Sequence, residues 1–497
     1  MGALARAGAF LTRRRAAPAA DAPLWVELSP DQAHPIDLRW VDELMASARP
    51  HLRVRAEDAL LILVPNRPVK VNGTALRVLG AMVDERLGIA EVLAREGDDP
   101  RKRRELHWFF ADLAAWLQGT IGEGEGRRAV EREPFRADFC ALPVLAEVAL
   151  TYRCNLTCSF CYAGCGAAGL PAGWSEARTM SDDEVCAVLE VIARDARCPS
   201  VSFTGGEPTV RPGLPRFVRH GKALGLKVNL ISNGQRLDER LVGELAAAGL
   251  DSAQLSLEGP DEALHDRLVG RAGAYARLWS AVDRLRRAGV RVHTNTTVSR
   301  ANLEQVEAIV DEAARRGLER LTMNLVIPCG SARDGGAVAV SYSEIGERVL
   351  AARRRAAARG VELIWYSPLP LCLFNTVAHG LGNRGCAAAD GLLHVNPAGD
   401  VLPCSSFDHG ESLGNLLRQP FAEVWQSRAA RFFRDKRMMP ASCAGCPEAA
   451  VCQGACVLYW REAGLAELGG SPAGRPPLPA GWRGGELPAG PAAAPPA

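Results

Sequence analysis

The chain has 497 residues, 47% hydrophobic and 23% charged, and its 59 Lys and Arg against 57 Asp and Glu leave a formal net charge of +2. This near-neutral balance gives no electrostatic basis for nucleic acid or an anionic membrane as the main partner. No apolar run reaches the ~18 residues that span a bilayer. The unusual feature is the 15 cysteines, which occur in clusters.

Residues 1–24 are of low complexity, and we expect a disordered tail there. Arg13, Arg14 and Arg15 follow the short apolar stretch instead of preceding it, which is the reverse of an export signal. We therefore expect a cytoplasmic protein. Thiols stay reduced in that compartment, so clustered cysteines indicate metal ligands rather than disulfides.

Residues 25–120 show the pattern of a small α+β module. Val54–Val71 is rich in β-branched and apolar residues interrupted by Pro65 and Pro68, which predicts a short hairpin. Asn72-Gly73-Thr74 then opens a stretch with helical spacing, and two further amphipathic stretches follow. Short strands followed by three helices predict a winged-helix-like unit.

Residues 121–142 are polar and Gly-rich and predict a linker. From 143 to 370, strands alternate with helices, the first of which opens with a capping box at Ser181 and Glu184. The predicted strands are Leu145–Thr151, Val201–Thr204, Val228–Ser232, Ala253–Leu257, Val290–Val298 and Leu321–Ile327. Six successive βα units predict an α/β fold with a partial (β/α)6 TIM-like barrel. Residues 371–466 are rich in Cys and Gly, and 467–497 are Pro/Gly/Ala-rich and expected to be disordered.

The first cysteine cluster is Cys154-x3-Cys158-x2-Cys161, directly after the first predicted strand, where a barrel places its chemistry. Three thiolates on one loop can hold three irons of a cubane cluster and leave the fourth iron open to a substrate or cofactor. The alternative is a closed zinc site with Cys165 as fourth ligand.

This cluster, with Phe160 before its last Cys, resembles that of the radical S-adenosylmethionine (SAM) superfamily. Gly205-Gly206-Glu207, after the second strand, resembles the motif that holds the methionine end of SAM. Glycines allow close backbone approach, and Glu207 can accept from the α-ammonium. The resemblance also implies SAM contacts at later strand ends, each of which has a simple turn residue as its alternative: Ser232, Asn233, Ser256, Asn295 and Leu325.

One position departs from the pattern of that superfamily. Relatives often carry Arg four residues after the His of a His-Asp pair, but here Val269 follows His265 at that spacing. We expect Arg267 or Arg271 to substitute.

The C-terminal cysteines, together with Gly399, form a second pattern, which resembles the SPASM domain of auxiliary iron–sulfur clusters: Cys386, Gly399-x4-Cys404 and Cys443-x2-Cys446-x5-Cys452-x3-Cys456. The resemblance implies one cluster on Cys386, Cys404 and Cys456, with Cys372 as a further ligand. It implies a second cluster on Cys443, Cys446 and Cys452. The last Cys of the domain is absent, so the second cluster needs a non-Cys ligand or an open iron. A structural zinc site is the alternative.

The cysteines outside both patterns are expected to be small buried hydrophobic residues. They are Cys140, Cys186, Cys198 and Cys329.

Val54–Leu117 resembles the PqqD-like peptide-recognition element. In that family the third strand and the last helix grip a leader peptide by strand addition, through main-chain hydrogen bonds and alternate side-chain pockets. The alternative is a winged-helix domain with a packing or dimer role.

Together these resemblances, over roughly residues 54–460, imply a radical SAM/SPASM maturase similar to those of pyrroloquinoline quinone (PQQ) and mycofactocin. Such an enzyme reductively cleaves SAM to a 5′-deoxyadenosyl radical and abstracts hydrogen from a ribosomally synthesised precursor peptide. The implied cofactors are a SAM-binding [4Fe-4S] cluster, one or two auxiliary clusters and SAM. The implied partners are the leader peptide and a reductant such as flavodoxin or ferredoxin. No catalytic acid or base is predicted.

Three alternatives stay open. A tetrapyrrole- or other small-molecule-modifying enzyme shares the cysteine motifs. A sulfatase maturase is disfavoured because Ser405 stands where that group has Asp. A zinc-stabilised peptide-binding scaffold without catalysis belongs to a different class.

Overall fold

A computed structural model describes residues 36–118, 140–165, 170–171, 173–333, 338–382 and 385–469. The chain divides into two compact units, one within Met1–Pro134 and one within Phe135–Ala497. The expected tails, apart from residues 467–469, and most of the expected linker lie outside the described residues. In the described ranges, no helix is long and apolar enough to cross a membrane.

The first unit is a three-stranded antiparallel sheet, in the order β1-β2-β3, packed with helices. Its elements are α1 (Arg39–Ala48), β1 (Leu52–Arg55), β2 (Leu60–Leu63), β3 (Arg67–Lys70), α2 (Gly73–Val83), α3 (Ile89–Glu96) and α4 (Pro100–Gln118). The Asn72 side chain caps α2 by accepting from the Ala75 N–H at 2.8 Å, at the helix start predicted from the sequence. Helix α1 was not predicted.

The second unit is built on a ten-stranded sheet. Its strands are β4 (Leu145–Ala149), β5 (Ser200–Thr204), β6 (Lys227–Ser232), β7 (Ser252–Ser256), β8 (Arg291–Val298), β9 (Arg320–Leu325), β10 (Glu362–Trp365), β11 (Leu392–Val395), β12 (Asp400–Leu402) and β13 (Gly414–Asn415). The order is β10-β9-β8-β7-β6-β5-β4-β11-β12-β13, and all neighbours from β10 to β11 run parallel.

Helices follow the strands as βα units require. They are α5 (Asp182–Arg194), α6 (Leu214–Ala223), α7 (Glu239–Ala247), α8 (Glu262–Val269), α9 (Ala274–Arg287), α10 (Val306–Arg315), α11 (Tyr342–Arg359), α12 (Phe421–Trp425), α13 (Arg428–Arg434), α14 (Ala449–Cys452) and α15 (Val457–Ala463). The predicted capping box at Ser181 and Glu184 is confirmed at the start of α5.

All six predicted strands form, and the partial parallel barrel is confirmed. The structure adds two parallel strands to it. Strand β10 extends the sheet beyond β9, and β11, from the Cys-rich section, pairs with β4 at the other edge. The C-terminal section therefore continues the sheet of the barrel instead of forming a separate layer.

The C-terminal section also packs on α11 through aromatic residues. Trp460 on α15 is fully buried, and its Nε1 donates to the Gly454 carbonyl at 2.7 Å. Its ring meets that of Tyr342 edge-on, with centroids 5.0 Å apart. Large buried aromatic surface of this kind contributes strongly to stability.

We expect the substitution Trp460→Ala to destabilise the second unit by about 3–5 kcal/mol, because it removes a large buried side chain and leaves a cavity. The measurement is the thermal unfolding midpoint of the full-length protein. Trp108→Ala is the matched control, because Trp108 on α4 is 47% exposed. Equal midpoints for the two variants would contradict the packing role of Trp460.

Candidate functional site

The residues from Cys154 to Cys165, called here the Cys loop, follow β4 and are held from three sides. The first contact is with the end of β5. The Gly206 N–H donates to the Thr151 carbonyl at 2.7 Å, and the Glu207 N–H donates to the Arg153 carbonyl at 2.9 Å. A Cβ at Gly205 or at Gly206 would overlap these carbonyls. The paired glycines are therefore required for backbone-to-backbone packing against the segment that leads into the Cys loop.

The second contact comes from the end of α8. The Thr157 N–H donates to the Val269 carbonyl at 3.1 Å, and the Ser159 N–H donates to the Leu268 carbonyl at 3.2 Å. Gly270 ends the helix with a φ of +69°, and a Cβ there would overlap the Thr157 hydroxyl. A left-handed residue that also lacks space for a side chain has to be glycine.

The third contact comes from the loop after β9. The Ser331 N–H donates to the Cys161 carbonyl at 2.8 Å. Gly330 has a φ of +55°, and a Cβ there would overlap the carbonyls of Cys161 and Tyr162. The Cys loop is thus fixed by its backbone, which leaves its thiols available as ligands.

The thiols of the Cys loop lie in different surroundings. Burial raises the pKa of Cys154 to about 11 and raises that of Cys158 further. The neighbouring Cys165 thiol and nearby backbone N–H groups lower the pKa of Cys161 below its usual value. Backbone donors around a thiolate are typical of iron–sulfur ligation, so the Cys loop fits a cluster on its three motif cysteines. Cys165 is buried and packs beside Cys161.

Glu207, which we expected to meet SAM, binds protein donors. Its carboxylate accepts from the Thr209 N–H and hydroxyl, from the Ser232 hydroxyl at 2.8 Å and from the Asn233 N–H at 2.8 Å. Glu207 and Ser232 are both buried, at 1% and 2% exposure. They join the ends of β5 and β6. The Asn233 side chain continues this network by donating to the Asn155 side chain on the Cys loop at 2.8 Å.

The candidate residues at later strand ends divide between the two faces of the sheet. Ser256 is in register with Asn295, and the Asn295 side chain bonds those of Thr322 and Asn324. Leu325 is fully buried in the hydrophobic core between the sheet and the helices that cover it. Because side chains alternate along a strand, Asn324 and not Leu325 faces the barrel interior.

The other candidates near the Cys loop differ in exposure. Phe160 is half-buried on the loop, and Arg267 is exposed on α8. Arg271 follows the turn at Gly270, and its Nη1 donates to the Asn155 carbonyl of the Cys loop at 3.2 Å. Of the two arginines offered as substitutes, the structure places Arg271 at the site.

The C-terminal cysteines form two groups, and one expected grouping is wrong. Cys372 lies with Cys443, Cys446 and Cys452, because these thiols interact electrostatically and the Leu371 N–H approaches the Cys452 sulfur at 3.4 Å. It does not join Cys386, Cys404 and Cys456, because the chain before it runs along the segment of Cys452.

Cys329 lies near the group of Cys386, Cys404 and Cys456. Its neighbours are Cys404 and Cys456, whose pKa values rise through burial and through nearby thiols that include Cys386 and Cys329. Cys329 is fully buried, as expected from the sequence, where its isolation gave no signal of these neighbouring thiols. Among the described residues, no three His, Cys, Asp or Glu side chains converge on one metal ion. A cubane spreads its ligands more widely, since each thiolate binds a different iron.

Comparison with known families matches both cysteine regions. Residues 148–313 match the radical SAM superfamily, and residues 386–447 match SPASM, an iron–sulfur cluster-binding domain. A PqqA peptide cyclase from Xanthomonas axonopodis pv. citri is 30% identical over 326 residues, which cover 63% of this chain and 82% of that protein. An AdoMet-dependent heme synthase from Methanosarcina barkeri is 28% identical over 336 residues, which cover 63% and 90%.

Among solved structures, SuiB from Streptococcus suis bound to the precursor peptide SuiA has the same fold. The TM-score is 0.60 at 16% identity, and the match covers 82% of this chain and 94% of SuiB. This share of the chain exceeds what the second unit makes up, so the likeness extends into the first unit.

We expect Gly206→Ala to disturb the Cys loop, because the new Cβ would displace the Arg153 carbonyl. The anaerobically purified variant should lose iron and sulfide, by about one third if the chain carries three clusters of equal size. Gly243→Ala is the matched control: nothing lies within 4 Å of that position on α7, and alanine there should stabilise the helix by about 1 kcal/mol. Equal iron content in both variants would show that the glycine contact does not hold the loop.

Proposed function

The chain belongs to the radical SAM superfamily and carries a SPASM domain, and we propose that it modifies a ribosomally synthesised precursor peptide. The observation that carries the proposal is the Cys loop, which is fixed by backbone hydrogen bonds and holds Cys154, Cys158 and Cys161 at the carboxyl end of the parallel barrel. The similarity of this chain to PqqA peptide cyclases and the fold that it shares with peptide-bound SuiB support a peptide as substrate.

The three thiolates of the loop bind the cluster in this proposal. With SAM bound and one electron delivered by a reductant such as flavodoxin or ferredoxin, such a cluster would supply reductive cleavage of SAM to methionine and a 5′-deoxyadenosyl radical. Asn233 and Arg271 orient the loop through Asn155. The buried strand ends behind it exclude water from the site.

The interior face of the barrel supplies polar groups for positioning a substrate. Asn229 bonds Ser202 at 3.2 Å and Ser252 at 2.7 Å, and His293 bonds Gln254 at 3.2 Å. Burial lowers the pKa of His293 to about 4, so its ring is neutral at physiological pH. Neutral hydrogen-bonding groups suit the amide and hydroxyl groups of a peptide.

The first unit provides a surface for leader recognition in this proposal. Strand β3 is an edge strand, and Val69 on it is partly exposed. Trp116 on α4 stands beside this edge, with the Arg67 guanidinium 5.8 Å from its ring centroid. An extended peptide can add to such an edge and place alternate side chains against the helix.

A tetrapyrrole substrate is the second candidate, because a heme synthase is among the similar proteins. Such a substrate needs no peptide-binding edge, so the two candidates differ in their use of the first unit. The superfamily is one of enzymes, which sets aside the non-catalytic zinc scaffold. The cysteine-rich centres favour a reducing compartment, so we propose a cytoplasmic location.

We expect anaerobic co-expression with any short precursor peptide encoded beside the gene to change the mass of that peptide, or to introduce deuterium from deuterated water if the product is an epimer. Cys154→Ala should lower the amount of modified peptide at least a hundredfold, because one iron of the cluster loses its ligand. Mass spectrometry of the peptide is the measurement, and Cys186→Ala is the control. Formation of 5′-deoxyadenosine with an unchanged peptide in both solvents would contradict the peptide assignment.

We expect Trp116→Ala to weaken binding of the fluorescein-labelled precursor peptide about tenfold or more, since aromatic anchors beside an added strand carry much of such binding energy. Fluorescence anisotropy of the full-length protein measures the Kd. Trp108→Ala changes a tryptophan on the same helix and should leave the Kd within about twofold. An unchanged Kd for Trp116→Ala would place the leader elsewhere.

A further inference from the structure

The loop after β9 joins the Cys loop to the C-terminal cysteines. Its Ser331 N–H bonds the Cys161 carbonyl at 2.8 Å. Two residues earlier, Cys329 is fully buried, and two residues later the Arg333 side chain donates to the Asp408 carboxylate at 3.2 Å, four residues after Cys404. One short segment therefore contacts both cysteine regions.

The group around Cys329 contains three more thiols from separate segments. Cys386 precedes β11, Cys404 follows β12, and Cys456 precedes α15. Cys386 and Cys456 are buried like Cys329, and Cys404 is half-buried. Cys386 and Cys456 each act electrostatically on Cys404, Cys386 also acts on Cys456, and Cys329 acts on both Cys404 and Cys456.

Contacts of the protein itself fix this group. The Ala389 N–H donates to the Pro403 carbonyl at 2.9 Å and ties the segment of Cys386 to that of Cys404. The Cys456 N–H donates to the Tyr342 hydroxyl at 3.3 Å. The ammonium of Lys436, which is 2% exposed, donates to the Cys386 carbonyl at 2.7 Å. Lys436 is also paired with the Asp390 carboxylate at 2.5 Å, which fixes the segment of Cys386 further.

We propose that Cys329 is the fourth protein ligand of the auxiliary cluster held by Cys386, Cys404 and Cys456. Four thiolates are the usual ligand set of a complete iron–sulfur cluster. Cys372 then completes the other group, and neither auxiliary cluster needs a non-Cys ligand. Since only Gly330 separates Cys329 from Ser331, ligation would also anchor the segment that holds the Cys loop.

The inference rests on the auxiliary clusters that the SPASM domain implies and not on the identity of the substrate. Its test therefore uses no peptide. The background is the full-length Cys154→Ala, Cys158→Ala, Cys161→Ala protein, which retains only the auxiliary ligands. Cys329→Ala and Cys329→Ser are introduced into this background and purified anaerobically.

We expect Cys329→Ala to lower iron and sulfide content and to change the electron paramagnetic resonance spectrum of one reduced auxiliary cluster. Cys329→Ser, which keeps the side-chain shape and replaces sulfur with oxygen, should retain more iron and shift the reduction potential of that cluster. Cys404→Ala is the positive control. Cys186→Ala is the matched negative control, because that cysteine on α5 belongs to neither group.

Iron content, spectrum and potential identical to those of Cys186→Ala, with Cys404→Ala altered, would overturn the proposal. If Cys329→Ala fails to fold, Cys329→Ser gives the result, because an unshifted spectrum and potential there would equally exclude ligation. The peptide-mass experiment uses the wild-type protein, so its failure would leave this result unaffected.

Discussion

The structure depends on close backbone packing around one loop. The Cys loop and the residues that lead into it form hydrogen bonds with three different strand–helix units. Each contact includes a glycine, where any side chain would prevent the close approach of the backbones. Such contacts fix the position of the chain without using any cysteine thiol. The thiols can then serve as ligands, and the loop is preorganised before a cluster binds.

This constraint changes the physical reading of the Gly205-Gly206-Glu207 motif. From the sequence, the glycines were expected to admit a ligand and the glutamate to bind its ammonium group. In the structure the glycines admit the backbone of the residues that lead into the Cys loop, and the buried carboxylate accepts hydrogen bonds from the turn after β5 and from the end of β6. One motif thus aligns the ends of β5 and β6 with the Cys loop, so a substitution at Glu207 would disturb both strand ends and the loop together.

Much of the fold could be predicted, because periodicity and capping residues are local signals. Asn72 and Ser181 mark helix starts through their own side chains, and the six central strands alternate with amphipathic helices. The strands β10 and β11 were not predicted, because each has only four residues and β11 pairs with a strand far away in the sequence. A one-residue shift separates Leu325 from Asn324, and in a strand that shift exchanges the two faces.

The grouping of the cysteines could not be predicted for a related reason. Spacing within a motif identifies ligands that share a loop, but partners from other loops are set by the sheet. Pairing of β11 with β4 carries Cys386 and Cys404 to that edge of the sheet, and the ion pair of Arg333 with Asp408 brings the loop after β9 alongside. Cys329 lies near them because it belongs to the loop after β9. Cys372 lies near Cys452 because its own segment runs beside that residue. The barrel that positions the first cluster therefore also determines which thiols assemble the second.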